Sequence, residues 1–162
     1  MTQDEAPDSD EQDHAGVRIP PPVIFIVFLA AGIVMDSPWM SGNLAALSAM
    51  GIGGVLFVIS GVLALKSVPR HRKEGSNVEP WKPTTKIISD GIYGRSRNPI
   101  YVSMSLLYIS LAIMAGSLIA LYLVVPCLVV IRYYVIGREE TYLEAKFGAD
   151  YVDYKSKVRR WI

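Results

Sequence analysis

Four runs of apolar residues, at about 19–35, 44–68, 100–115 and 118–136, constrain the folding of this chain more than any other feature. A helix needs about 20 apolar residues to cross a bilayer, with a range of about 17–25. The second and fourth runs reach that length alone. The first and third fall short and need their flanks or a thinned bilayer. The first run opens on Pro20, Pro21 and Pro22, and proline is tolerated in the first turn of a helix, where its missing N–H costs nothing. Only Gly116 and Ser117 separate the third and fourth runs. One continuous helix would be too long for a bilayer, so a tight turn at Ala115–Ser117 and an antiparallel hairpin are expected.

The basic residues orient these spans. The connection Asp36–Asn43 and the turn Gly116–Ser117 carry no Lys or Arg. Eight basic residues lie from Lys66 to Arg97, and six from Arg138 to Arg160. Four spans therefore put both termini and the long loop on the cytoplasmic side of an inner, cytoplasmic membrane. Arg132 fits only near the inner end of its span.

Composition narrows the chemistry. Mean hydropathy is positive. Cys127 is the one cysteine, and His14 and His71 stand far apart in polar segments. An intrachain disulfide is excluded and a metal centre is not expected. Nucleic acid is not an expected partner. The N-terminus is acidic, unlike a secretory signal. Residues 1–17 are polar and free of aromatics, so a disordered acidic tail is expected, with a membrane domain over 18–162. Ser41, Ala45, Ala49 and Gly53 form a ridge of small residues on the second span. The ridge suits close helix contact in lipid, within the chain or in a homo-oligomer.

After the fourth run, Leu143, Phe147, Tyr151 and Tyr154 recur at three or four residues. This predicts an amphipathic helix lying on the membrane surface, its lysines and arginines near lipid headgroups. Gly148 is placed to end a first helix. The basic loop Arg70–Asn77 is expected to attract anionic headgroups. Cys127 reads as a packing residue, and Trp39 and Trp161 as interfacial anchors. The fold expected is thus all-α and integral to the membrane, with four transmembrane helices and a C-terminal interfacial helix.

Two polar clusters flank the hairpin. Gly91-Ile92-Tyr93-Gly94-Arg95-Ser96-Arg97-Asn98-Pro99-Ile100-Tyr101 leads into the third span. Arg132-Tyr133-Tyr134 and Arg138-Glu139-Glu140 leave the fourth. A hairpin returns the chain to one side, so both clusters meet at the cytoplasmic interface. Ionisable residues at such depth are either headgroup anchors or functional. On a regular helix Arg132 would share a face with Glu139 or Glu140, and pairs with Arg95 or Arg97 are equally open.

From about residue 75 to the end, the chain resembles the isoprenylcysteine carboxyl methyltransferase-like family, whose wider group includes the phospholipid methyltransferases. The resemblance rests on Val78-Glu79-Pro80-Trp81-Lys82-Pro83, on the cluster from Asp90 to Tyr101, and on Glu139-Glu140. Leu143, Phe147-Gly148, Tyr151, Tyr154 and Val158-Arg159-Arg160-Trp161-Ile162 complete it. It implies S-adenosylmethionine as cofactor and a lipophilic small molecule or lipid as acceptor. Arg97, Asn98, Pro99 and Tyr101 match one motif of the family, and Glu139 and Glu140 its acidic pair. A carboxylate can hold the cofactor's ammonium group and favour its sulfonium charge. An arginine can fork its carboxylate, and tyrosine faces suit adenine or a sulfonium. Two positions depart from the pattern: Ser103 stands for a glycine, and Arg138 for a proline. Arg138 adds charge that could bind an acidic headgroup or pair with Glu140. Arg97, Tyr101 and Arg138 are the candidates for aligning the reactants. Two rival readings are a membrane reductase of the sterol-reductase type using NADPH and a small membrane protein without catalysis.

Overall fold

The computed structural model describes residues 14–36, 46–73 and 84–162. The rest of the acidic tail, Trp39, Ser41, Ala45 and the stretch 74–83 lie outside the described residues. Among the described residues the fold is all-helical: α1 Pro21–Met35, α2 Ala46–Lys73, a 3-10 turn Gly91–Gly94, α3 Pro99–Met114, α4 Leu118–Val130, a π-helical segment Ile131–Ile136, α5 Gly137–Phe147 and α6 Ala149–Lys157. Two stretches, Ala49–Pro69 and Leu118–Phe147, are long and apolar enough to cross a membrane. α1 and α3 are apolar but shorter.

The hairpin forms as its sequence predicts. Gly116 takes φ 66, a conformation open to glycine, and the Ser117 hydroxyl caps α4 by accepting from Ala120 N–H at 3.1 Å. α3 packs chiefly on α2, and α1 on α4. Serines join α2 to α3. Ser60 and Ser103 each donate to the other's carbonyl at 3.0 Å, and Ser110 donates to Gly53 O at 2.8 Å. All three serines are buried. Such bonds between helices suit lipid, where no water competes. A Cβ at Gly53 would lie 2.4 Å from Met114 Cγ, and one at Gly32 2.4 Å from Ala120 Cα. The described half of the small-residue ridge, Ala49 and Gly53, therefore serves contact within the chain. Phe25 meets Tyr108 between α1 and α3, with ring centroids 6.3 Å apart. Cys127 is buried in the same core, and Trp161 packs against that core rather than standing free as an anchor.

Two expectations are corrected. Residues 14–17 are packed, not tail: Val17 is 2% exposed, because its apolar side chain completes the core where α1 begins. The C-terminal segment is two short helices broken at Gly148 (φ 53). Its aromatic face is buried on the protein, with Tyr151 and Tyr154 under 9% exposed. Packing removes those rings from water without a bilayer.

Candidate functional site

Asn98 lies outside helical geometry, φ −128 and ψ 50, and Pro99 opens α3, because the residue before proline is pushed from helical geometry. That break leaves Arg97 and Asn98 outside the helix and puts Tyr101 in its first turn. On the other arm, Gly137 N–H bonds to Arg132 O, five residues back, at the end of the π segment. π-bulges shift the register of a helix and recur at functional sites. Here Ile131, Val135 and Ile136 are fully buried, and Glu140 stays buried beyond them, whereas Arg132 is exposed. The face that Arg132 would share with the acids on a regular helix is thereby lost. Its guanidinium lies 5.4 Å from the Tyr133 ring.

The acidic pair divides in two. Glu140 is clasped. Arg160 donates to both of its oxygens, Nε to Oε1 at 2.9 Å and Nη2 to Oε2 at 2.7 Å, and Arg97 Nη2 donates to Oε1 at 2.8 Å. Burial works against its ionisation. The hydrogen bonds from Arg160 and the charges of Arg97, Arg160 and Lys155 outweigh that and hold the carboxyl below the ordinary range. Glu139, three residues beyond the apolar run that ends at Ile136, has no cation partner among the described residues. Its Oε1 accepts from the Tyr101 hydroxyl at 2.5 Å. Burial pushes its pKa up to about 7. The Tyr101 hydrogen bond opposes that rise, and the charge of Glu140 adds to it.

Around Glu139 lies a cavity of about 210 Å³. Tyr93, Tyr101, Tyr151 and Tyr154 line its polar side, and Pro21, Pro22, Ile100 and Met104 its apolar side. Tyr154 donates to Tyr93 O at 2.8 Å. Burial raises the hydroxyls of Tyr93, Tyr151 and Tyr154, the last to about 12, so these three stay neutral.

Of the residues expected at the site, Arg97, Asn98, Pro99, Tyr101, Glu139 and Glu140 all line this one cavity. Their roles differ in kind. Arg97 spends Nη1 on Lys155 O at 2.8 Å and Nη2 on Glu140, leaving Nε as a buried donor without a partner. Asn98 holds Arg160 O through Nδ2 at 2.9 Å. Arg138 is not brought in. Its guanidinium lies 4.7 Å over the Tyr134 ring and donates to Gly16 O at 2.9 Å, fastening the segment before α1. Ser103 faces α2 rather than the cavity. Tyr93, Tyr151, Tyr154 and Arg160 belong to the site and were not singled out as site residues from sequence. Tyr93 was legible only as a member of the polar cluster before α3, and Tyr151, Tyr154 and Arg160 only as members of the C-terminal pattern, where the aromatics read as a surface face and the arginine as a headgroup contact.

A family model described as phospholipid methyltransferase matches residues 48–150. An uncharacterized protein of Haemophilus influenzae is 43% identical over 63 residues, 39% of this chain and 100% of that protein. No solved structure matches. The matched region spans the hairpin, the lead-in with Arg97 and Asn98, and the acidic pair, and the chain carries two helices long and apolar enough to cross a membrane. The chain belongs to the phospholipid methyltransferase family.

Proposed function

We propose that this protein transfers a methyl group from S-adenosylmethionine to a nucleophile on a lipophilic, membrane-borne acceptor of the isoprenylcysteine-carboxylate or phospholipid-amine type. One observation carries the reading: among the described residues Glu139 is a carboxylate without a cation partner, set in a cavity lined by Tyr93, Tyr101, Tyr151 and Tyr154 and by Arg97, whose Nε is unpaired. The donor set fits the cofactor. A desolvated carboxylate lacking a counter-ion attracts a cation, and S-adenosylmethionine carries both an ammonium and a sulfonium. Arg97 Nε is an unsatisfied donor, costing about 1–3 kcal/mol until an acceptor such as the cofactor's carboxylate meets it. Tyrosine faces attract a positive centre by about 0.5–2 kcal/mol each. When bound, the cofactor supplies an electrophilic methyl group on sulfur.

The chain's own residues align and exclude. Tyr101 holds the Glu139 carboxylate in place through its hydroxyl. Pro21, Pro22, Ile100 and Met104 offer an apolar wall to the lipophilic part of the acceptor. Alignment of two reactants is worth up to about 7–11 kcal/mol. NADPH, the cofactor of the rival reductase reading, is polyanionic and would be repelled by Glu139.

Calorimetry on the purified protein tests this. S-adenosylmethionine should bind, and more tightly as pH rises through about 7, because the cation needs Glu139 ionised. Below that point affinity should fall by up to about tenfold per pH unit. Binding of NADPH instead, or of neither, would overturn the proposal.

The proposed topology is four spans, at about 19–35, 44–68, 100–115 and 118–136, within one membrane domain, with both termini cytoplasmic. α1 and α3, at 15 and 16 residues, reach about 22–24 Å against a hydrocarbon core of about 30 Å. Flanking residues or local thinning make up the difference. Reporter fusions after Asn43 and after Ile162 should read opposite sides, and the same side for both would sink the four-span arrangement.

A further inference from the structure

The last residues of the chain, beyond the matched 48–150, are built into the site. Arg97 N–H donates to Arg159 O at 2.9 Å. Arg97 Nη1 donates to Lys155 O, and Asn98 Nδ2 to Arg160 O, at 2.8 and 2.9 Å. Arg160 returns two bonds to Glu140. Five hydrogen bonds thus run between the C-terminal segment and the Arg97-Asn98 and Glu140 elements of the site. They cross about 60 residues of chain in three cases and 20 in the other two.

We propose that Arg160 is a positioning residue of the methyl-transfer site. By occupying both oxygens of Glu140, it leaves Glu139 as the uncompensated carboxylate of the cavity and sets the charge that Glu139 presents to a bound cation. The proposal deepens the function proposed above and rests on it for the identity of the cation. The electrostatic part stands on the clasp alone.

Glu139 and Glu140 are neighbours on one helix and repel. With Arg97 and Arg160 on Glu140, the cluster beside Glu139 is no longer negative, so Glu139 can ionise near neutral pH despite its burial. The other groups facing Glu139 are the hydroxyl of Tyr101 on α3, Tyr93 on the 3-10 turn, Tyr151 and Tyr154 on α6, and Lys86 and Tyr142 at the cavity wall. Burial keeps the hydroxyls of Tyr93, Tyr151 and Tyr154 neutral. Lys86 has a partner of its own. Arg160 is therefore the cation whose removal changes the local charge while leaving the cavity wall in place. Its side chain is 31% exposed against 8% for Arg97, so it is also the member of the clasp best placed to be exchanged without collapse.

The experiment is an infrared titration of the carboxyl band of Glu139, identified by its loss in Glu139→Gln, on the full chain in lipid nanodiscs without cofactor. Arg160→Gln should raise the protonation midpoint of Glu139 by about half a pH unit or more. Arg160→Lys, which keeps the charge, should hold it near the wild-type value. A merely structural role gives the opposite sign, because a loosened C-terminal segment admits water to Glu139 and lowers the midpoint. The double variant Glu140→Gln/Arg160→Gln replaces the ion pair by two neutral hydrogen-bonding groups and should return the midpoint to within a few tenths of wild type. If Arg160→Gln fails to fold, Arg160→Met, which keeps an apolar stem and removes the charge, must show the same rise. A midpoint that falls or stays unchanged in Arg160→Gln, or that falls in the double variant, overturns the proposal. In the same variants, S-adenosylmethionine affinity should weaken in Arg160→Gln at pH 7 and recover toward pH 8.5. A correct infrared shift without any cofactor binding would refute the proposed function and leave the electrostatic role of Arg160 standing.

Discussion

Glu139→Gln is expected to weaken S-adenosylmethionine binding by about 10–150-fold, the equivalent of a lost charge-assisted hydrogen bond worth roughly 1.5–3 kcal/mol. Methyl transfer at subsaturating cofactor should fall in proportion. The stability of the same variant should move the other way. The folded-state pKa of Glu139 is raised to about 7. Its protonated form therefore contributes stability that is complete below the ordinary carboxylate range and lost as pH rises through about 7. Glutamine resembles the protonated form and still accepts from Tyr101. At pH 8 the variant should be more stable than the wild type by on the order of 1–3 kcal/mol, read by thermal or denaturant unfolding. Tighter folding with weaker binding marks a residue kept for function at a cost to stability. Unchanged cofactor affinity in a folded Glu139→Gln protein would remove this residue from the site.

Glu140→Gln should act in the opposite sense, as the most damaging single change to the fold near the site. Among the described residues it takes the only paired carboxylate from two arginines, and the Arg97 side chain is 8% exposed. Breaking a buried pair by removing one partner costs about 3–5 kcal/mol, since a desolvated charge is left behind. Arg160 is less buried and recovers part of its hydration, which places the expectation at about 3 kcal/mol. The pH dependence follows from the sign of the shift. The carboxyl of Glu140 is held below its ordinary value, so its stabilisation is present above the ordinary range and lost as pH falls through its lowered folded value. The wild type should thus show an acid limb in its stability that Glu140→Gln lacks. Loss of cofactor binding in this variant without loss of stability would return Glu140 to direct contact with the ligand. Arg97→Lys belongs with it. Lysine cannot serve Lys155 O and Glu140 together, so that substitution should disturb folding as well as transfer.

Local sequence dictated the helical class, the hairpin at Gly116-Ser117, the break at Asn98-Pro99 and the end of a helix at Gly148. Each rests on local physics: the length of an apolar run, the restriction before proline, the freedom of glycine at positive φ. It also brought Arg97, Asn98, Pro99, Tyr101, Glu139 and Glu140 to one place, because a hairpin returns its two ends to the same side. Local rules could not divide the labour inside that cluster. Glu139 and Glu140 are adjacent and chemically identical, and the π segment at 131–136 together with the return of Arg160 from the end of the chain decide which is clasped and which is open. Arg138 looked like part of the site because it precedes the acidic pair. It turns instead to Gly16, since residues one apart on a helix point about 100° away from each other. The aromatic face of Tyr151 and Tyr154 was legible as amphipathic, but periodicity states only that a face is covered. The tertiary structure supplies the cover, setting those rings in the wall of the Glu139 cavity with Tyr154 bonded to Tyr93 O, because contacts across some 60 residues of chain depend on how the whole hairpin packs and leave no trace in any window of sequence.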